Sequence, residues 1–340
     1  MVAKLGVLAA AAAIAASIVV LLGGTHAVDA STRSAQAATV DRGVVDVGTT
    51  LSYEQETAAG TGIVLSGSGE VLTNNHVIRG ATAIRVTDVV TGQSYTATVL
   101  GYDVAADVAL LKLQGASGLG TASVGRSSSI RLAQPVTAVG NAGGVGGRPS
   151  VTKGRVTALH QSITVGNGPA GAQRLTGLIK SSASVQPGDS GGPLLDAGGR
   201  VIGMTTASSG GFDRQSGDSA GYAIPIDGAI AIARQIEAGR SSADVHVGPT
   251  AFLGVLTRAA QGGVSGAMIE EVVPGSAAAK VGLVPGDVIT SFDGHAVSSP
   301  LALTKLVWHV PPGRKTQIGW IDQVGNRHSV GIRPAAGPPQ

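Results

Sequence analysis

Val185-Gln186-Pro187-Gly188-Asp189-Ser190-Gly191-Gly192-Pro193 reads as a tight loop that presents one serine hydroxyl. Small and glycine neighbours let the backbone turn closely enough for two amide N–H groups to converge beside the serine oxygen, the geometry that an oxyanion pocket requires. A serine hydroxyl is a weak nucleophile at its free pKa, so this reading demands a base and a group to orient the base. Thr73-Asn74-Asn75-His76-Val77-Ile78 supplies a histidine after a strand-like run, and Asp107-Val108-Ala109-Leu110-Leu111-Lys112-Leu113 supplies an aspartate at the mouth of an apolar strand. Gly188-Asp189-Ser190-Gly191-Gly192 also satisfies G-x-S-x-G, which in a nucleophile elbow joins a buried strand to a helix and precedes its Asp and His. Here Leu194 to Gly203 reads as strand, Gly198-Gly199 turn and strand, so no helix begins and the elbow is excluded.

The order along the chain is therefore His76, Asp107, Ser190, at intervals of 31 and 83 residues, which is the order of chymotrypsin-type proteases. With these three motifs the sequence resembles the HtrA/Deg-type bacterial serine proteases, a trypsin-like double β-barrel followed by a PDZ domain. The resemblance implies that Ser190 attacks a scissile carbonyl, that His76 is general base and acid, and that Asp107 holds the imidazole. It implies an oxyanion pocket formed by the amides of Gly188 and Ser190, with that of Asp189 beside them. In such folds the residue six before the nucleophile lines the base of the P1 pocket. Here it is Ser184, and without an acid at that place a preference for Arg or Lys is not expected. Thr205, Thr206 and Ala207 are expected to wall the same pocket and to suit small or medium apolar side chains. One departure is Ser182, where the family usually carries an aspartate, so the ordering of this loop cannot be carried over from the family.

Between about residues 44 and 239 the pattern is β throughout. Short alternating runs are separated by turns such as Ser66-Gly67-Ser68-Gly69 and Thr91-Gly92. Such spacing suits a pair of closed antiparallel barrels, with His76 and Asp107 on the first and Ser190 on the second. The run Gly140-Asn141-Ala142-Gly143-Gly144-Val145-Gly146-Gly147 reads as a mobile loop. Asp227 to Ala238 reads as the one helix of this part, with Asp227 as N-cap and Ile230, Ala233 and Ile236 as its apolar stripe. The fold class is mainly β, with a protease domain over 41–239, a linker over 240–250 and a PDZ domain over 251–335.

The PDZ resemblance rests on Phe252-Leu253-Gly254-Val255, similar to a carboxylate-binding loop, followed by Ala267–Val272, the turn-helix-turn Pro274–Leu283, Gly286–Gly294, and a helix from Pro300 to His309 capped by Ser299. It implies that a peptide adds a strand beside Phe252, Leu253, Gly254 and Val255, with the Pro300–His309 helix walling the groove.

The chain has 340 residues, 52 glycines, 13% charged residues, 3% aromatics, no cysteine and a net charge of +3. No basic cluster interleaved with aromatics is present, so nucleic-acid binding is not expected. Without cysteine there is neither a disulfide nor a thiolate-held metal, and no metal or other cofactor is expected. Leu5 to Leu22 is an unbroken apolar and small run after Lys4, with Ala35-Gln36-Ala37 as a small-x-small cleavage site. Residues 1–40 therefore read as a signal peptide or membrane anchor plus tether, for a secreted or envelope protein. The family implies unfolded or peptide substrates and a possible homotrimer; the alternative function is a catalytically silent scaffold or chaperone. Asp103 is the rival orienter, placed by the sequence in the loop before the Asp107 strand.

Overall fold

The computed structural model describes residues 41–52, 56–165, 173–206, 220–261 and 263–339. The export segment at residues 1–40 and Ala207 lie outside the described residues.

The first barrel is built from β1 (Val44–Leu51), β2 (Glu56–Val64), β3 (Glu70–Thr73), β4 (Ala83–Asp88), β5 (Ser94–Asp103) and β6 (Val108–Leu113), closed by the β5–β6 pairing. Period-two alternation decides which face turns inward. In β4, Ile84, Val86 and Asp88 are buried while Ala83 and Arg85 are exposed. The interior is filled by Val45, Val47, Val64, Val71, Val86 and Leu111, branched side chains that fit a tapering barrel. A one-turn helix, α1 (Asn75–Ile78), follows β3 and carries His76.

The second barrel is β7 (Pro135–Gly140), β8 (Ser150–Val165), β9 (Gln173–Ser181), β10 (Pro193–Leu195), β11 (Val201–Thr206) and β12 (Gly221–Pro225), closed in the order β10-β11-β12-β9-β8-β7. Val136, Ala138, Val156, Ile179, Leu194 and Ile202 form its core. The loop between β9 and β10 carries Ser190, so closure of the two barrels delivers the histidine from one and the serine from the other.

The helix α2 (Ile226–Glu237) starts one residue earlier than expected, with Pro225 at its N-cap position. Asp227 is in the first turn, and its carboxylate accepts the Ser128 backbone N–H (2.9 Å) rather than capping its own helix. The buried stripe is Ile226, Ala229, Ala233 and Ile236, shifted from the expected Ile230-centred one because the helix begins on an apolar residue.

The stretch read as a linker contains β13 (Val245–Val247), which pairs with β5 and adds a seventh strand to the first sheet. After it, β14 (Thr250–Phe252) pairs with β21 (Ala335–Gly337), while β15 (Val255–Ala259), β16 (Ala267–Val272), β17 (Val288–Phe292), β19 (Thr316–Ile321) and β20 (Arg327–Ile332) form the last sheet, with β18 (His295–Ala296) paired to β17. The helices α3 (Ala277–Lys280) and α4 (Pro300–Trp308) are capped by Ser276 and Ser299, whose hydroxyls accept the Ala279 and Ala302 N–H groups. Leu253, Ile269, Ile289, Phe292, Leu303 and Ile318 make this core. Trp308, at the end of α4, packs against the first barrel, edge-on to Tyr102 with ring centroids 6.0 Å apart.

Candidate active site

His76 is held from two directions by one carboxylate. Its ring Nδ1 lies 2.8 Å from Asp107 Oδ2, and its backbone N–H donates to Asp107 Oδ1 at 2.9 Å. The Asp107 side chain is 4% exposed and the His76 side chain 33%, so the orienting group is dry and the imidazole opens to the cleft. Asp107 occupies the left-handed region (φ 57°), which aspartate tolerates better than most residues. Its own carbonyl accepts the Asn74 side-chain amide (2.9 Å), and Thr206 Oγ1 donates to its Oδ2 (3.2 Å). Burial lowers the His76 pKa, but the charge and the hydrogen bond of Asp107 together outweigh it. The imidazole is left above its ordinary value of 6.5. A carboxylate that only accepts at Nδ1 keeps the proton there and frees Nε2 to act as a base.

Asp103 is the last residue of β5 and not part of the following loop. It is buried, and its carboxylate accepts the Ala106 N–H (2.9 Å), within a turn of its own chain segment. Burial is the largest cause of its raised pKa.

Ser190 is 5% exposed. Its carbonyl accepts the Thr61 N–H (2.8 Å) from the first barrel. A methyl on Gly60 would lie 2.7 Å from both methyls of Val77 and 3.1 Å from the Ser190 carbonyl, so the His76 helix and the serine loop close on the two sides of Gly60. Gly188 (φ 97°) and Gly191 (φ 86°) sit in the left-handed region, and a Cβ on either would collide with a carbonyl oxygen, of Asn141 or of Thr61. These glycines are therefore fixed by contact as well as by backbone angle.

The Asp189 amide, between those of Gly188 and Ser190, donates to the Gln186 carbonyl (3.0 Å) and closes the turn. The buried Asp189 carboxylate accepts Ser150 Oγ (3.0 Å) and the Gln186 N–H (2.8 Å), which ties the loop to β8. The glycine-rich run expected to be mobile is pinned instead. Gly143 N–H donates to the Pro187 carbonyl (2.7 Å), Gly146 N–H to Asn141 Oδ1 (2.8 Å) and Gly147 N–H to Asp46 Oδ2 (3.2 Å). It serves as a backing wall for the serine loop.

Ser184 is half-buried, two residues after Ser182, whose hydroxyl accepts the Arg155 N–H (3.0 Å). That bond, with the return bond from Ser182 N–H to the Arg155 carbonyl, orders the loop in which the family's aspartate is missing. Thr205 and Thr206 are buried at the end of β11. The Thr206 hydroxyl reaches Asp107, a task the sequence reading did not give it; no spacing rule links two residues 99 apart. Phe252 to Val255 lies apart from these groups, at the start of the last sheet. Leu253 is buried in that core, Gly254 adopts φ 81°, and β15, which begins at Val255, is an edge strand.

A cavity of about 730 Å³ adjoins Gly188 and Pro187, bounded by Gly48–Thr50, Thr57–Ala59 and Gly143–Gly144.

Comparison with known proteins gives two domain matches, a trypsin-like peptidase domain at residues 60–204 and a PDZ domain at residues 268–315. The serine protease PepD of Mycobacterium tuberculosis is 35% identical over 314 residues, covering 87% of this chain and 64% of that protein. The periplasmic serine endoprotease DegP of Escherichia coli is 32% identical over 266 residues, covering 77% and 54%. The chain thus spans a little over half to about two-thirds of the length of these curated relatives. Among solved structures, the HtrA-type protease AlgW with a tripeptide is 30% identical with a TM-score of 0.52, over 90% of this chain and 98% of that one.

Proposed function

The chain belongs to the HtrA-type serine proteases, a trypsin-like peptidase domain followed by a PDZ domain, and from that premise we propose that it is an exported endopeptidase that cleaves unfolded or misfolded polypeptides through His76, Asp107 and Ser190. The observation that carries the reading is the double hold of Asp107 on His76, at 2.8 and 2.9 Å, from a carboxylate excluded from water.

The chemistry runs as follows. Ser190 Oγ attacks the scissile carbonyl carbon while His76 Nε2 takes its proton. The C–O bond forms and the carbonyl electron pair moves onto oxygen. That oxyanion is received by the N–H groups of Gly188 and Ser190, an interaction worth about 2.7–4 kcal/mol per donor. The imidazolium is stabilised by Asp107 and returns its proton to the leaving amine as the C–N bond breaks. Water then repeats the sequence on the acyl-enzyme. Ser184 at the base of the P1 pocket, with Thr205 and Thr206 around it, favours small or medium apolar side chains.

The protease part occupies 41–239 and the PDZ part 251–335, joined through 240–250. An extended peptide adds to the open edge of β15, near the loop Phe252–Val255, with α4 as the opposite wall. Leu253 contributes to this site through its backbone, since its side chain belongs to the core. Residues 1–40 export the protein to the cell envelope or beyond, with anchoring through 5–22 if uncleaved, and the working assembly is a homotrimer. A Ser190→Ala variant tests the activity. It should lose turnover of a casein-like substrate and labelling by a fluorophosphonate while unfolding within a degree or two of the parent. Retained peptidase activity would remove Ser190 from the reaction, and an unlabelled, inactive parent would favour the silent scaffold.

A further inference from the structure

Thr61 lies in β2 of the first barrel and is fully buried, yet most of its hydrogen bonds leave that barrel. Its N–H donates to the Ser190 carbonyl (2.8 Å). Its Oγ1 donates to the Gly188 carbonyl (2.7 Å) and accepts the Asn141 N–H (2.9 Å). Its carbonyl accepts Thr73 Oγ1 (2.7 Å), inside its own sheet. One residue therefore grips the backbone on both sides of Asp189 and, through the same hydroxyl, the first residue of the glycine-rich backing loop.

The placement bears on the direction of one N–H group. A trans peptide puts its C=O and N–H on opposite sides, so fixing one fixes the other. The Pro187 carbonyl is held by the Gly143 N–H (2.7 Å), which turns the Gly188 N–H away from the backing loop. Gly188 can rotate its flanking peptide planes at little steric cost, because a residue at φ 97° without a Cβ has few barriers to turning over. Something must hold both sides of it. The Thr61 hydroxyl does so by holding the Gly188 carbonyl directly and by holding Asn141, whose own carbonyl accepts the Gly144 N–H (2.8 Å) and which leads into Gly143.

We propose that Thr61 is a positioning residue for the oxyanion pocket: its side-chain hydroxyl clamps the serine loop and the backing loop together so that the Gly188 N–H faces the developing oxyanion. The proposal rests on the assignment of Ser190 as nucleophile. A buried threonine that merely joins two barrels would alter stability and leave the chemical step untouched.

The test uses the full chain with three variants. Thr61→Val keeps the shape and removes the hydroxyl, Thr61→Ser keeps the hydroxyl, and Thr250→Val removes a buried hydroxyl that pairs with Tyr102 and not with the serine loop. For each, thermal unfolding, kcat and KM on a chromogenic peptide, and affinity for a peptide aldehyde are measured. The aldehyde forms a tetrahedral adduct whose oxygen occupies the oxyanion pocket. Thr61→Val should lower kcat about 10- to 100-fold, less than the ~10²–10³ of losing a donor outright, because the Gly188 N–H is misdirected and not deleted. KM should stay within about threefold, and aldehyde affinity should weaken in step with kcat. Thr61→Ser should recover most of the loss, and Thr250→Val should lower the unfolding temperature with kcat near the parent. If Thr61→Val does not fold, Thr61→Cys, with its weaker donor, takes its place and should show an intermediate loss. A folded Thr61 variant without the hydroxyl that keeps kcat within about threefold of the parent overturns the proposal, as does a kcat loss with undiminished aldehyde affinity. Fluorophosphonate labelling of the parent at Ser190 separates these outcomes from a failure of the nucleophile assignment.

Discussion

Replacing Asp107 by Asn should cost about four decades in kcat, and the reason lies in which atoms its carboxylate faces. Oδ1 accepts the His76 backbone N–H, and Oδ2 accepts from His76 Nδ1 and from Thr206 Oγ1. An amide has one oxygen to give. The backbone N–H of His76 cannot become an acceptor, so the oxygen must stay opposite it and the NH2 must face Nδ1. Thr206 can rotate its hydroxyl to accept, but Nδ1 can accept only by moving its proton to Nε2. That is the atom Ser190 needs as a base. The expected loss of ~10⁴ in kcat corresponds to about 5.4 kcal/mol at ~1.36 kcal/mol per decade. The fold should be little disturbed, because shape and most bonds survive; a change of ~1 kcal/mol would move the unfolding temperature by only ~2–4 °C. The matched Asp103→Asn change leaves an oxygen for the Ala106 N–H and should keep kcat within about tenfold. Both variants are assayed on one chromogenic peptide at a pH where the parent is fully active, with thermal unfolding alongside. An Asp107→Asn enzyme within tenfold of the parent, or an equal loss at Asp103, refutes the reasoning.

Four further outcomes are expected. Because the His76 imidazole must be neutral to act as base and its pKa is raised, the rate should climb with pH through a midpoint above 6.5; a midpoint below 6.5 contradicts the Asp107 hold. The same raised pKa adds stability that is complete below about 6.5, the unfolded value, and is lost as pH rises through the folded value. The difference in unfolding free energy between the parent and His76→Gln should therefore shrink across that window. Ending the chain after Gly248 should leave a folded protease that cleaves short peptides and loses long ones. It should also unfold on the order of 5 °C earlier, since Tyr102 loses Trp308 and its Thr250 hydroxyl partner, contacts worth ~1–3 kcal/mol. Trp308→Ala in the full chain should reproduce part of that fall, and an unchanged unfolding temperature in both would show that the α4 contact carries no stability.

What the sequence makes legible here is local. Strand alternation, the caps at Ser299, and the serine, histidine and aspartate motifs each depend on neighbours within a few residues, so a reader of the chain can see them. The rest depends on partners far along the chain. The glycine-rich run looks mobile because its composition offers no side chains to pack, yet its order comes from backbone bonds to Pro187 and Asp46, 44 and 101 residues from the glycines they meet. Asp227 has the composition of an N-cap and is diverted to Ser128, 99 residues away. The Val245–Val247 strand is too short to announce itself and forms only because β5 offers it an edge.

The same long-range bonding explains why the serine loop has a single shape despite its three glycines, Gly188, Gly191 and Gly192, on each of which a Cβ would collide with a carbonyl oxygen from another element. Gly191 N–H donates to the Thr205 carbonyl, and Thr205 N–H returns to Gly192, so β11 holds the loop's exit. Ser150 holds Asp189 from β8, Thr61 holds residues 188 and 190 from β2, and Gly143 holds Pro187 from behind. Each anchor comes from a different element, and two of those elements also touch the base and its orienter: Thr206 of β11 donates to Asp107, and Gly60 of β2 abuts Val77 beside His76. These backbone bonds are made in a dry interior, so breaking any one of them orphans a buried group. Opening the loop at one anchor therefore strains the others, and geometry at the nucleophile is coupled to the way the two barrels meet. Substitutions along that seam, far from any substrate atom, should consequently change kcat more than KM.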